Sequence, residues 1–119
     1  MRVAQIKSRK LREVIKGFAA LYPKYADAYY AQGSCYMSSE DFITYAKMKK
    51  LSMEMKLFRV DKKPPYAKYK DQHWVVLVDG CIAIDFTARQ FHRSFAFPRV
   101  WIDKKPKKAY PFGKTVQYA

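Results

Sequence analysis

The stretch HWVVLVDGCIAIDF, residues 73–86, decides the fold of this chain. Residues 73–78 and 81–86 are two apolar runs, and they are joined at Asp79-Gly80, a dipeptide typical of a tight turn between antiparallel strands. Both runs are apolar at almost every position, so neither alternates between a buried face and a solvated face. This pattern predicts two strands in the middle of a sheet that is covered on both sides.

The register of this hairpin depends on the length of its turn, and two lengths are open. With a two-residue turn, His73 pairs with Phe86 and points to the face away from Asp85. With a three-residue connection or one bulge, residue 75 faces residue 85, and His73 and Asp85 become diagonal neighbours on one face. Only the longer connection brings these two side chains within hydrogen-bonding reach.

The chain before the hairpin begins with an amphipathic helix. Residues 8–22 repeat apolar positions at helical spacing, with Ser8 as the candidate cap and Pro23 as the stop. Residues 24–31 follow as a short helical or irregular piece. The predicted order is therefore helices first and strands afterwards.

A second helix is predicted to begin near Cys35 and to run to about Lys50. Either Ser34 or Ser38 is placed to cap it, and Ser38 has a carboxylate three residues later, as in a capping box. Cys35 then lies at the helix N-terminus or just before it. The positive end of the helix dipole favours the thiolate form of a cysteine at that place.

The remaining segments complete an α+β fold, with N-terminal helices packed on a small antiparallel sheet. Residues 51–60 alternate and predict a half-buried strand, whereas the charged, proline-containing residues 61–72 predict an exposed loop. Residues 100–102 and 115–118 are candidate edge strands. The lysine-rich residues 104–108 are predicted to form a surface loop. No linker or repeat divides the chain, so residues 1–119 are expected to form one domain.

Positive charge dominates the composition but is unevenly distributed. The chain has 24 Lys and Arg against 10 Asp and Glu, a net charge of +14. The net charge is +6 in residues 1–24, +7 in residues 47–70 and +7 in residues 89–119. It is −3 in each of the two intervening segments, residues 25–46 and 71–88. A basic surface attracts polyanions, although lysine-rich faces also serve solubility alone. The sequence thus leaves nucleic acid or an acidic protein open as a partner, with chemistry expected in the acidic segments.

The cysteines and the N-terminal segment favour a cytoplasmic protein. Cys35 and Cys81 are too few for a disulfide framework, so both are expected to be reduced thiols. The only histidines that could join them as metal ligands are His73 and His92. The spacing of these four residues is not that of a metal site, and no cofactor is predicted. The first residues lack the apolar core of a secretion signal, and no run is long enough to span a membrane.

Three residues stand in the order and on the elements that thiol catalysis needs. Cys35 begins a helix, His73 opens a strand, and Asp85 lies on the paired strand. An imidazole can take up the thiol proton, and a carboxylate can fix the tautomer of that imidazole. An unpaired carboxylate among apolar residues is costly, which argues that Asp85 has a partner. The sequence therefore predicts Cys35, His73 and Asp85 as a catalytic triad.

These segments resemble the papain-like superfamily in its transglutaminase-like branch, which orders its triad Cys, His, Asp. The resemblance is carried by GSC at 33–35 before a helix, by HWVVLVDG at 73–80 and by IDFT at 84–87. The family pattern is H-x-W-x-x-V, a short turn, a strand and D-x-T; here the aromatic residue follows His73 directly. DFTARQF at 85–91 also resembles the ending of small bacterial and phage members. The resemblance covers about residues 33–98.

The resemblance implies a papain-like core and a cysteine-dependent amide or ester hydrolase or acyl transferase, of protease, amidase or deamidase type. Cys35 would be the nucleophile, His73 the base and Asp85 the residue that orients His73, with a protein or peptide as substrate. Backbone N–H groups near Cys35 would form the oxyanion hole, and Gln32 is a candidate helper although its spacing differs from the papain pattern. The alternative is a non-enzymatic basic module, or a degenerate papain-like fold, that binds nucleic acid or an acidic protein.

Overall fold

The described α-helices lie in the N-terminal half of the chain. A computed structural model describes residues 3–60 and 73–102. Within them the α-helices are α1 (Arg9–Leu21), α2 (Ala28–Ala31) and α3 (Cys35–Met48). Short 3₁₀ helices occupy Val3–Gln5, Pro23–Ala26 and Ala88–Gln90.

Helix α1 begins and ends where its sequence predicts. The Ser8 hydroxyl accepts a hydrogen bond from the Leu11 N–H at 3.1 Å, which satisfies a donor that the first turn leaves without a helical partner. The helix ends at Leu21, and Pro23 opens the following 3₁₀ turn. Its buried stripe contains Leu11 and Phe18 among others, as the periodicity predicts.

The start of α3 differs from the capping prediction. Ser34 occupies the N-cap position, but its hydroxyl caps no helical N–H and instead donates to the Tyr30 carbonyl at 3.1 Å. Ser38 lies inside the helix, where its hydroxyl donates to the Cys35 carbonyl at 3.2 Å. The capping-box interpretation of Ser38 is therefore wrong, because the helix has already begun at Cys35.

The strands form one antiparallel sheet with the order β1-β2-β3-β4. They are β1 (Met55–Val60), β2 (His73–Val78), β3 (Ile82–Asp85) and β4 (Arg99–Ile102). The two apolar runs occupy the middle of the sheet, and β4 is the predicted edge strand near residue 100. Helices followed by this sheet confirm the α+β fold class.

The hairpin between β2 and β3 has the longer connection. Val76 pairs with Ile84 and Val78 with Ile82, which leaves residues 79–81 as the connection and sets residue 75 opposite residue 85. Asp79 and Gly80 both have positive φ angles, 51° and 69°. The two-residue alternative is wrong for this hairpin, and the register that makes His73 and Asp85 diagonal neighbours is confirmed.

Apolar side chains cover both faces of the middle strands. On one face, Val76 and Ile84 join Phe18 of α1 and Phe42 of α3 in the main buried cluster. On the other face lies a smaller cluster, whose buried members are Val60, Val75, Leu77 and Ala83. Burial on two faces explains why neither run alternates.

Several sequence predictions lie outside the described residues. These are the loop at 61–72, the lysine-rich loop at 104–108 and the edge strand at 115–118. In the described part of the chain, no helix has both the length and the apolar character that crossing a membrane requires.

Candidate active site

Three secondary-structure ends meet at one place. Cys35 is the first residue of α3, His73 is the first residue of β2 and Asp85 is the last residue of β3. Because β2 and β3 are antiparallel, the start of one strand lies beside the end of the other. Helix α3 packs against β2, and the Ser39 hydroxyl, which donates to the Cys35 carbonyl at 2.7 Å, lies 3.4 Å from the Trp74 carbonyl oxygen. The fold thus brings the N-terminus of α3 to His73.

His73 and Asp85 form a buried hydrogen-bonded pair. The distance from Nε2 of His73 to Oδ2 of Asp85 is 2.7 Å, and each side chain is about 1% exposed. The other carboxylate oxygen, Oδ1, accepts the Thr87 N–H at 2.9 Å and the Thr87 hydroxyl at 3.3 Å. With both oxygens occupied, Asp85 is fixed in orientation, and it fixes the imidazole in turn.

The Cys35 thiol makes a hydrogen bond to the same imidazole. Since Nε2 of His73 faces Asp85, the ring nitrogen that remains for the thiol is Nδ1. This is the arrangement in which the imidazole can accept the thiol proton while its other nitrogen donates to a carboxylate.

Charges at the site favour a thiolate and an imidazolium. Burial alone would raise the pKa of Cys35. The pKa is nevertheless lowered below its ordinary value, because His73 contributes a hydrogen bond and a positive charge, and the Trp74 backbone contributes a second hydrogen bond. Burial alone would lower the pKa of His73, but the charge of Asp85 and the hydrogen bonds that the imidazolium donates to Asp85 and Cys35 raise it to about 9. The two shifts act together, because each charge stabilises the other.

The first turn of α3 supplies backbone donors beside the thiol. The first N–H groups of an α-helix have no helical acceptor, and no side-chain cap occupies them here because the Ser34 hydroxyl donates to Tyr30. The same end of the helix carries its positive partial charge. These N–H groups are suited to hold an oxyanion that develops on a carbonyl attacked by Cys35.

Aromatic side chains enclose the site on two sides. The Phe91 ring meets the His73 imidazole edge-on, with centroids 4.8 Å apart. Tyr36, next to the thiol and 46% exposed, packs edge-on against Trp74 at 5.3 Å. Phe91 reduces the access of water to His73, which strengthens its pairing with Asp85.

Thr87 and Phe91 are site residues that the sequence reasoning missed as such. The D-x-T spacing carried a signal for Thr87, since a hydroxyl two residues after an aspartate can hydrogen-bond its carboxylate. The sequence holds no such signal for Phe91, because its contact with His73 depends on the 3₁₀ turn Ala88–Gln90.

Other candidates do not join this group in the described structure. Gln32 is exposed in the turn before α3, and no hydrogen bond links its side chain to the triad; its role as an oxyanion helper stays a prediction. Nδ1 of His92 accepts the Ser94 N–H at 3.1 Å, and Cys81 packs against the main core. A hollow of about 410 Å³ beside Arg89 also lacks any triad residue.

Within residues 3–60 and 73–102, no group of three His, Cys, Asp or Glu side chains is arranged to hold a metal ion. Compared with protein-family models, curated proteins and solved structures, the chain has no match, so the case for this site rests on its own geometry.

Proposed function

We propose that this protein is a cysteine-dependent amide or ester hydrolase or acyl transferase with a papain-like, transglutaminase-like core. The observation that carries the proposal is the hydrogen-bonded chain Cys35–His73–Asp85, with the thiol at a helix N-terminus. A buried histidine in a purely structural role can satisfy its two nitrogens with any hydrogen-bonding groups. A thiol and a carboxylate on its two nitrogens make the arrangement useful for nucleophilic catalysis.

The reaction follows from the positions of these groups. The Cys35 thiolate attacks the substrate carbonyl, forming a carbon–sulfur bond, while the first-turn N–H groups of α3 hold the oxyanion. As the tetrahedral intermediate collapses, the carbon–nitrogen or carbon–oxygen bond breaks, and Nδ1 of His73 gives its proton to the leaving group. Water, or an amine in a transferase, then loses a proton to His73 and releases the acyl group from sulfur.

A protein side chain or a flexible peptide is the substrate that suits this domain. At 119 residues, the chain has little length for a deep pocket that could enclose a bulky metabolite. We place the protein in the cytoplasm, where a nucleophilic thiol stays reduced.

The test is the capture of an acyl-enzyme. The protein is incubated with p-nitrophenyl acetate, and release of nitrophenol is followed together with intact mass. We expect a burst of nitrophenol and an acetyl adduct that peptide mapping locates on Cys35. The Cys81→Ser variant keeps both signals, whereas Cys35→Ala and His73→Ala lose them.

The same assay distinguishes a transferase from a hydrolase, and it also defines the result that would contradict the proposal. If glycinamide accelerates turnover and forms acetylglycinamide, the protein acts as a transferase; if only acetate forms, it acts as a hydrolase. Equal adducts on Cys35 and Cys81, with no effect of His73→Ala, would overturn the proposal and favour a non-enzymatic binding module.

A further inference from the structure

A surface apart from the candidate active site lies where α1 packs against α3. Gly17 of α1 is pressed against the ring of Tyr45 on α3, so closely that a Cβ on Gly17 would lie 2.3 Å from the Tyr45 hydroxyl oxygen. Two hollows adjoin this contact. Tyr45 and Lys49 line both hollows, so the two are adjacent.

The first hollow is lined mainly by apolar and aromatic side chains, together with one carboxylate, Asp41, and with Thr44 and Lys49. The Asp41 carboxylate disfavours an acidic group of a ligand in this hollow, so an apolar side chain suits it better. The volume of the hollow is about 380 Å³. Among the described leucine, isoleucine, valine and methionine residues, Met48 and Leu21 have the most exposed side chains, at 75% and 63%, and both line this hollow. Single exposed apolar residues are ordinary on protein surfaces, but two of them in one hollow mark a contact surface.

The second hollow is cationic. It has a volume of about 280 Å³ and is lined by Lys10 and Lys49 with one carboxylate, Glu13. Glu13 pairs with Arg9 at 3.1 Å, so three basic groups surround this one carboxylate. The Lys49 ammonium lies over the Tyr45 ring, 5.5 Å from its centroid. Exposed Lys47 and Lys50 add to the positive charge at this end of α3. An acidic side chain therefore suits this hollow, and a large apolar one suits its neighbour.

The aromatic rings at this surface argue against a nucleic acid as the occupant. Stacking of bases needs aromatic faces that are open to solvent. Here Tyr22 packs against Phe18 at 4.7 Å and Tyr25 at 5.9 Å, and Tyr45 packs against Phe18 at 5.7 Å. The exposed contact atoms belong to Leu21 and Met48, which match aliphatic side chains of a polypeptide.

We propose that the paired hollows at the α1–α3 contact bind an acidic polypeptide segment that carries large aliphatic side chains among its carboxylates. An apolar side chain lies between Leu21 and Met48, and neighbouring carboxylates pair with Lys10 and Lys49. Met48 is about 20 Å from Cys35 along the axis of α3. The surface is therefore separate from the triad, and the proposal does not depend on catalysis.

The test is a binding assay with three probes of equal length. The first is a fluorescein-labelled peptide of about 15 residues in which leucine follows every two glutamates, a spacing that groups apolar side chains with carboxylates. The others are labelled polyglutamate and labelled oligo(dT). Fluorescence anisotropy at physiological ionic strength measures the dissociation constants. We expect the leucine-containing peptide to bind about tenfold more tightly than either other probe.

Variants with matched controls locate the binding surface. Leu21→Ser combined with Met48→Ser removes the apolar contact without changing charge, and we expect binding about tenfold weaker. Lys49→Glu should weaken it similarly. Met37→Ser, at the other end of α3, and Lys56→Glu, on β1, are the matched controls and should leave binding unchanged. Circular dichroism and thermal melting verify that each variant is folded.

Three results would overturn the proposal. Equal affinity for all three probes, insensitive to the Leu21 and Met48 substitutions, would mean a general polyanion surface. Tighter binding of oligo(dT) would mean a nucleic-acid surface. Self-association that the same substitutions abolish would mean that a second copy covers the hollows. Because Cys35→Ala should leave peptide binding unchanged, a failure of the catalytic proposal can be told apart from a failure of this one.

Discussion

Replacing Asp85 by asparagine should disable the thiol while leaving the fold in place. The Thr87 N–H is a fixed donor, 2.9 Å from Oδ1 of Asp85, so the amide oxygen of Asn must take that position. The amide NH₂ then faces Nε2 of His73, at the place where Oδ2 now lies at 2.7 Å. Nε2 must become an acceptor, and the proton moves to Nδ1. The imidazole can then no longer take a proton from Cys35.

The size of the effect follows from the charge on the buried pair. The pKa of His73 is raised to about 9 against an ordinary value of about 6.5, despite burial that alone would lower it. At about 1.4 kcal/mol per pKa unit, this difference is worth roughly 3 kcal/mol of preference for the imidazolium. Loss of the carboxylate removes that preference, and with it the imidazolium charge that lowers the pKa of Cys35; this outweighs the smaller, opposite effect of the Asp85 charge, which by itself raises that pKa. At pH 6 we expect the Cys35 thiolate to decrease about 100-fold.

Alkylation by iodoacetamide measures this change, because only the thiolate reacts. Peptide mass spectrometry follows Cys35 and Cys81 in the same sample, with Cys81 as the internal control. Asp79→Asn, the same substitution at the exposed turn of the hairpin, should leave the rate at Cys35 unchanged. An Asp85→Asn protein that melts cooperatively and alkylates at the wild-type rate would refute the reasoning.

Four further predictions test the site and the fold. Ester hydrolysis should decline as the pH rises through about 9, because His73 then loses the proton that it gives to the leaving group; a flat profile to higher pH would contradict this. Thr87→Val removes one hydroxyl bond to Asp85 and should slow Cys35 alkylation at pH 6 roughly two- to tenfold, whereas an unchanged rate would show that the backbone N–H suffices. Phe18→Ala, at a side chain that is 0% exposed, should cost about 3–5 kcal/mol in urea unfolding, against about 0.5 for the exposed Leu21→Ala; equal costs would refute the assignment of the core. Gly80→Ala should cost about 1 kcal/mol, because φ at Gly80 is 69°, and an unchanged midpoint would contradict that strain.

The hairpin and the proximity of Cys35, His73 and Asp85 could be predicted because their signals are local. Two apolar runs around Asp79-Gly80 indicate two middle strands, and a cysteine before a helical segment indicates a helix N-terminus. The sequence left the turn length open, since two- and three-residue connections suit the same dipeptide. The added residue, Cys81, completes the connection and sets His73 and Asp85 in diagonal register.

Other features could not be predicted from the residue types. The Ser34 hydroxyl donates to the Tyr30 carbonyl four residues earlier instead of capping α3, and the sequence leaves open which of these nearby partners it takes. The Phe91 contact with His73 requires the chain to turn back after β3. The hollow lined by Leu21 and Met48 likewise depends on how α1 packs against α3 at Gly17 and Tyr45.

The central claim is that His73 activates Cys35 as a nucleophile by lowering the pKa of its thiol, and a thiolate titration tests it most directly. The ultraviolet absorbance of the thiolate is recorded against pH for the wild type and for Cys35→Ser, and the difference isolates Cys35 from Cys81 and the tyrosines. We predict a midpoint well below the ordinary thiol value of about 8.5, which returns to that value or above in His73→Ala. A wild-type midpoint at or above 8.5 that His73→Ala leaves in place would contradict the account.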